Sequence, residues 1–310
     1  MDINKLNQQI LINVNGELFP REKATITVYE SGYLMGDGIW EGIRLIDNKW
    51  IFLDEHLDRL FEGLANIDIE LHLSREELIE EILKTQEANN MSNNAHARLM
   101  VTRGVKSKPF QQPGLVIGDP TLVIIMEHSD PNAKREGVKM ASVPQIRGIA
   151  TTQDPKLNSH SKLNCILACI QANKAGADEA LMMDINGYVN TTNSCNFFIV
   201  KNDEVWTSTG EYCMNGITRK KVIMLCKQNN IPIFEKNFYL EDVYEANECF
   251  ITGTLGSLTP VLELDHKKFN KDSFVIMNQL NQLYSELYLH DISYVVWTKK
   301  SFNCDDEKFC

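Results

Sequence analysis

The chain has 310 residues, 43% of them hydrophobic, which suffices to bury a sizeable core and favours two domains over one. A formal net charge of -11 and the lack of any long Lys/Arg run argue against a nucleic-acid partner, whose phosphates require a basic surface. The opening MDINKLNQQILINVNGELF has no basic start leading into an apolar stretch, and nowhere do 18 apolar residues run together, so the expected protein is cytoplasmic with no membrane partner.

In chain order, residues 9–14 (QILINV), 24–29 (ATITVY) and 40–53 (WEGIRLIDNKWIFL) alternate or run apolar as strands do, and Asn15-Gly16 and Asp47-Asn48 supply hairpin turns. Residues 54–65 place Leu57, Leu60, Phe61 and Leu64 at helical spacing behind Asp54, and 74–88 open with Ser74 and Glu77, the pattern of a capping box. Strand character returns at 97–103 and 121–126. The polar, proline-containing 129–137 reads as a linker between a small N-terminal domain, 1–128, and a larger one, 138–289, with 290–310 as a polar tail. Further strands are expected at 138–143, 180–184, 197–201 and 204–207, with a turn at Asn186-Gly187. A helix over 161–174 carries Leu163, Ile166, Leu167 and Ile170 on one face and stops before Gly176; others follow at 218–229 and 273–289. Without a sustained βαβ repeat, this is the mixed α/β (α+β) class.

Eight cysteines show no CxxC pair and no His at zinc spacing, so no metal is expected; most read as buried thiols, with Cys304 and Cys310 exposed in the tail. Two segments could cradle a phosphate. In CMNGITRKKV, Gly216 allows close backbone approach and Ile217 and Thr218 enter a helix whose first N–H groups lack partners, although a plain capped helix would look the same. TGTLGSLTPV, 252–261, offers backbone N–H and hydroxyl donors, and could equally be a flexible turn. Neither a GxxxxGK[ST] loop nor a GxGxxG fingerprint is present, which points away from nucleotides and towards another phosphorylated cofactor such as pyridoxal phosphate.

Beyond these local readings, the chain from about residue 10 to 285 resembles the class IV aminotransferase family, the pyridoxal-phosphate enzymes of fold type IV. The markers are YLMGDGIWEGIR (33–44), EHLDRL (55–60), VTRG (101–104), ADEALMMDINGYVNTTNSCNFF (177–198), NGITR (215–219) and TGTLGSLTPV (252–261), in the family's order and spacing. The resemblance implies a small N-terminal α/β domain, a larger barrel-like C-terminal domain, pyridoxal 5'-phosphate between them, and a homodimer. It makes Arg59 the phosphate arginine, a role suited to a bidentate guanidinium. Gly216, Ile217 and Thr218 would line one side of the phosphate cup, and Thr254 and Leu255 the other. Asn196 and Thr191 would border the ring. Trp40, Arg44 and Lys108 would line the substrate pocket.

At two positions the sequence departs from the family. The usual Schiff-base lysine slot, fourteen residues before Ala172, holds Asn158, and the glutamate slot five residues before Asn196 holds Thr191, which cannot supply a charge to a pyridine nitrogen. Two lysines flank Asn158. Lys156 follows Pro155 and would need a shifted alignment. Lys162 lies one helical turn after Asn158, and residues four apart share a face with Cβ atoms about 5–6 Å apart, so a long lysine chain reaches the same volume. The helix dipole and partial burial would lower its pKa and free a neutral amine for Schiff-base formation. The expected activity is transfer of an amino group between an amino acid and a 2-keto acid with Lys162 as catalytic amine. The alternatives are a lyase or eliminating enzyme, suggested by Thr191, and a binding protein of the same fold that has lost covalent chemistry.

Overall fold

The computed structural model describes residues 3–129 and 136–291, so most of the expected 129–137 linker and of the 290–310 tail, with Cys304 and Cys310, lies outside the described residues. The first part contains α1 (Ile3–Asn7), β1 (Leu11–Val14), β2 (Glu17–Pro20), α2 (Ser31–Met35), β3 (Gly38–Ile46), β4 (Lys49–Trp50), α3 (Leu53–Asn66), α4 (Arg75–Ala88), β5 (Ala95–Thr102) and β6 (Thr121–His128). The second contains β7 (Val138–Ser142), α5 (Ala150–Gln153), α6 (Leu163–Lys174), β8 (Glu179–Met183), β9 (Val189–Thr192), β10 (Asn196–Lys201), β11 (Glu204–Thr207), α7 (Ile217–Gln228), β12 (Ile233–Glu235), α8 (Leu240–Tyr244), β13 (Glu248–Gly253), β14 (Ser257–Leu264), β15 (Lys267–Lys268) and α9 (Ile276–His290).

The first part folds into a six-stranded sheet in the order β2-β1-β6-β5-β3-β4. Its hairpins follow the turn chemistry: Asn15 and Gly16 both take positive φ between Val14 and Glu17, as do Asp47 and Asn48 between β3 and β4. Helices α3 and α4 cover one face, burying Leu53, Leu57, Leu60 and Leu64 from α3 and Leu78 and Ile82 from α4 against Ile39, Ile43 and Leu99. The capping box at Ser74 and Glu77 starts α4. Helix α3, by contrast, is entered through Phe52 in the left-handed region at φ 54, so Asp54 lies inside the first turn rather than at the cap.

The second part is a nine-stranded sheet in which β10, β13, β14, β7, β8 and β9 pair in sequence. Strand β9 then pairs back onto β10 through Thr191 and Asn196, which closes these strands into a barrel. Phe197, Ile199, Phe250 and Val261, with Val222 and Cys226 of α7 and Leu280 of α9, fill the core beside it.

Three expectations change. Residues 24–29 form no strand: Ile26, Val28 and Tyr29 stand exposed, and pairing here stops at the Tyr29 carbonyl, which accepts from the Lys106 N–H at 2.9 Å, and at an isolated bridge between Glu30 and Val105. The segment 252–261, left open between a phosphate cradle and a flexible turn, turns only at 254–256 and continues as strand β14, with Pro260 opposite Phe250 in the ladder. Helix α6 buries Ala168 and Ala172 against the barrel, whereas Leu163, Ile166, Leu167 and Ile170, the apolar stripe, face outward, Leu163 being 68% exposed.

Candidate active site

Between the two sheets lies a cavity of about 560 Å³, within the range of small-molecule sites. Trp40 and Gly42 of β3, Arg59 of α3 and Arg98 of β5 come from one side. From the other come Arg147, Asn158, Lys162, the 191–196 turn, the start of α7 and the turn from β13 to β14.

At one end, Arg59 donates from Nε and Nη2 to the carboxylate of Glu41, both bonds 2.7 Å, and His56 Nδ1 bonds the same carboxylate at 2.7 Å. Burial pushes the Glu41 carboxyl up, but the His56 bond and the Arg59 charge outweigh it and hold the group ionised below the usual carboxylate range. The guanidinium is thereby fixed with its Nη1 buried and unpartnered. Beside it, α7 starts at Gly216 with no side-chain cap, so the first N–H groups of the helix have no internal partners. Asn196 holds this start by accepting from the Gly216 N–H at 3.2 Å and donating to the Met214 carbonyl at 2.9 Å. A Cβ at position 216 would lie 2.4 Å from Asn196 Oδ1, so only glycine fits. Thr254, Leu255 and Gly256 close the cup opposite, and Thr252 Oγ1 is buried without a partner. Together these groups form a donor-rich, anion-binding end.

The other end departs from what the sequence suggested in its geometry. Residues 158–161 are loop, tied to β3 by a bridge between Ile39 and Ser159, and α6 starts only at Leu163, so Asn158 and Lys162 do not share a helical turn. They nevertheless line the same cavity, because the loop folds back across it. Lys162 sits 5.7 Å from the centre of the Trp40 ring. Its pKa is brought down to about 8, chiefly by burial and further by the charges of Arg147, Arg98 and Arg59, with the Cys165 sulfur acting in the opposite direction. Burial, expected from the sequence, leads, and the three arginine charges add to it. Lys156 is exposed and does not line the cavity. Thr191 does, and its hydroxyl donates to the Cys195 carbonyl at 2.7 Å.

Two expected pocket residues lie elsewhere. Arg44 is buried, donates to Ser257 Oγ at 3.1 Å, and faces a small separate void behind Thr218 and Thr254. Lys108 stands exposed on the loop after β5, away from the cavity. Conversely, sequence reasoning passed over Arg98 and Arg147. Arg98 stacks 3.9 Å from the centre of the Trp40 ring, its charge disfavoured by burial, and Arg147 donates to Cys165 Sγ at 3.0 Å. Arg98 pairs in register with Gly42 of β3, a long-range contact that no local sequence signal announced. Between Asn158 and Lys162, His160 is held neutral to about pH 4 by burial and by the Arg98 and Lys162 charges.

Comparison with known proteins agrees with this arrangement. The family model described as "Amino-transferase class IV" matches residues 38–264. The "Branched-chain-amino-acid aminotransferase-like protein 1" of Arabidopsis thaliana is 36% identical over 260 residues, covering 84% of this chain and 47% of that protein, so the chain spans about half the length of that relative. A "D-alanine aminotransferase" of Listeria monocytogenes is 32% identical over 268 residues, 81% of this chain and 86% of the relative. The crystal structure of a branched-chain amino acid aminotransferase from T.th., complexed with N-(5'-phosphopyridoxyl)-L-glutamate, superposes with a TM-score of 0.81 at 26% identity, covering 90% of this chain and 93% of the other. With its fold-type-IV barrel and its cup of Arg59, Gly216 and Thr254, the chain belongs to the class IV aminotransferase family.

Proposed function

We propose that this chain is a pyridoxal-phosphate-dependent aminotransferase that exchanges an amino group between an amino acid and a 2-keto acid. The observation that carries the reading is a lysine of pKa about 8, Lys162, in the same cavity as a preorganised anion cup. The residues fit the cofactor. Arg59 Nη1 is buried without a partner, and Gly216 keeps the start of α7 open, as binding of a phosphate requires. The bound cofactor supplies an aldehyde that condenses with amines and a ring that withdraws electrons from the substrate's α-carbon. Arg59, the N–H groups of Ile217 and Thr218, and the 254–256 turn would hold the phosphate. Lys162 Nζ, lowered close to neutrality, can both give and accept a proton within the cavity. Thr191 and Asn196 would border the ring with hydrogen-bonding groups but no charge. Arg98 and Arg147, cationic with no Asp or Glu lining the cavity among the described residues, suit the carboxylate of an amino or keto acid.

The same reading takes the chain as a cytoplasmic homodimer of two domains joined across 129–137, with a small-molecule substrate and no nucleic acid or membrane. The outward apolar stripe of α6, Leu163, Ile166, Leu167 and Ile170, supports a second copy as the group that covers it. Thr191 in place of a carboxylate favours one second reading, a lyase of the same fold; release of a keto acid with no keto-acid acceptor present would establish it.

The test is borohydride reduction of the protein mixed with pyridoxal phosphate, followed by peptide mapping. A pyridoxyl group on Lys162, lost in Lys162→Ala together with transamination, is the expected result. Labelling of Lys156 instead would overturn the assignment of the amine, and a protein that stays colourless and unlabelled would overturn the covalent reading altogether.

A further inference from the structure

Asn158, a residue of the cavity wall, carries a buried hydrogen-bond acceptor that the protein itself leaves unused. Asn158 is only 4% exposed and lines the cavity. Its Nδ2 donates to the Trp40 carbonyl at 2.6 Å, and its main-chain carbonyl accepts from the Trp40 N–H at 3.0 Å. A carbonyl can only accept, so the NH2 group must be the one that faces Trp40, and the orientation of the amide follows from chemistry. Asn158 Oδ1 is therefore turned away from that carbonyl, buried and without a partner. Such an acceptor is costly unless something donates to it.

The surroundings narrow what that donor can be. Arg59, Arg98, Arg147 and Lys162 line the same cavity, and Arg59 Nη1 and Arg147 Nε are also buried and unpartnered. These cations attract the anionic groups of a ligand, whereas Asn158 Oδ1 accepts a hydrogen bond and repels anions. The complementary ligand is a phosphorylated molecule that carries an amine at a distance from its anionic end. In the slot where the family resemblance puts the lysine amine, this chain has an acceptor for an amine.

Building on the cofactor assignment above, we propose that Asn158 is a positioning residue for the aminated cofactor, its Oδ1 accepting a hydrogen bond from the amino group of pyridoxamine 5'-phosphate. The loss of the usual lysine then has a positive consequence: the protein holds the amine-loaded form in place by a dedicated contact, while Lys162 stays free to handle protons.

Isothermal titration of the intact chain with two ligands tests this, pyridoxamine 5'-phosphate and 4-deoxypyridoxine 5'-phosphate, which has the same phosphorylated ring with a methyl in place of the aminomethyl group. The wild-type chain is expected to bind the amine about ten-fold more tightly than the methyl analogue, the scale of one hydrogen bond from the neutral amine that this cationic cavity favours. In Asn158→Leu the preference should fall to within about two-fold, with the methyl analogue bound as in wild type. Lys162→Met, which leaves Asn158 intact, should keep the preference. Equal affinities in the wild type, a preference that survives Asn158→Leu, or one that disappears in Lys162→Met would each overturn the proposal. Should Asn158→Leu fail to fold, the wild type and Lys162→Met decide. If the methyl analogue binds but the amine gains nothing, this inference fails and the cofactor reading stands; if neither ligand binds, the cofactor reading fails and takes the inference with it.

Discussion

The two ends of the cavity are built on different terms. At the cup, the placing groups hold one another, Arg59 by Glu41, Glu41 by His56 and Gly216 by Asn196, while Arg59 Nη1 and Thr252 Oγ1 are left without partners. At the far end, Asn158 Oδ1, Arg147 Nε and His160 Nε2 are buried without partners, and Lys162 has no carboxylate beside it among the described residues. The cup is thus positioned by contacts within the chain, and both ends keep polar atoms to be completed by what binds. The sequence resemblance assigns the cup to Arg59, Gly216 and Thr254 and puts its two departures, Asn158 and Thr191, along the same cavity.

The contrast can be broken most severely at the cup. Arg59→Ala leaves the buried Glu41 carboxylate with a single partner, a loss on the order of 3–5 kcal/mol for a broken buried pair, which denaturant unfolding would register together with loss of cofactor binding. Gly216→Ala acts on the same end by crowding alone. Its Cβ would have to displace Asn196 Oδ1, and overpacking of roughly 1–3 kcal/mol predicts cofactor affinity about ten-fold weaker by titration. Binding undiminished by either change would show that the cup is not where the phosphate is held.

At the chemical end the sharper probe is pH. With Lys162 at about 8, the neutral amine falls about ten-fold for each pH unit below that value, so its rate of labelling by pyridoxal phosphate and borohydride should follow an apparent pKa near 8. The linkage has a definite sign. Because the folded pKa lies below the ordinary 10.5, the unfolded chain binds more protons between pH 8 and 10.5, and the stability contributed by this group rises with pH across that window. His160, held near 4, likewise makes the fold less stable as pH falls from 6.5 towards 4, and His160→Gln should flatten that part of the profile. The smallest effect is a control remote from both ends: Ser74→Ala removes the cap of α4 at about 1 kcal/mol in thermal unfolding and leaves cofactor affinity unchanged.

The cup was legible through the family resemblance, which singled out the arginine of EHLDRL; locally, the glycine ahead of a helix start fitted a phosphate site and a plain capped helix alike. The capping box at Ser74 was legible locally. What the sequence concealed was long-range. Lys162 does reach the cavity, though through a loop folded against Ile39 rather than along a helical turn, and no periodicity encodes that crossing. Arg98 and Arg147 face the cavity only once two sheets meet. Residues 24–29 have strand chemistry and no strand to join. In α6 the periodicity was correct and its direction reversed, since the barrel takes the alanine side and leaves the leucines outside.

If a second copy covers α6, that reversal would tie Lys162 to protein concentration. Leu163 follows Lys162 directly and begins the outward stripe of α6. If a second copy covers the stripe, dilution below the dimer's dissociation constant uncovers it and loosens the segment that places Nζ. Specific activity should then fall as the enzyme is diluted and recover when it is concentrated, so that the rate reports assembly through a single helix.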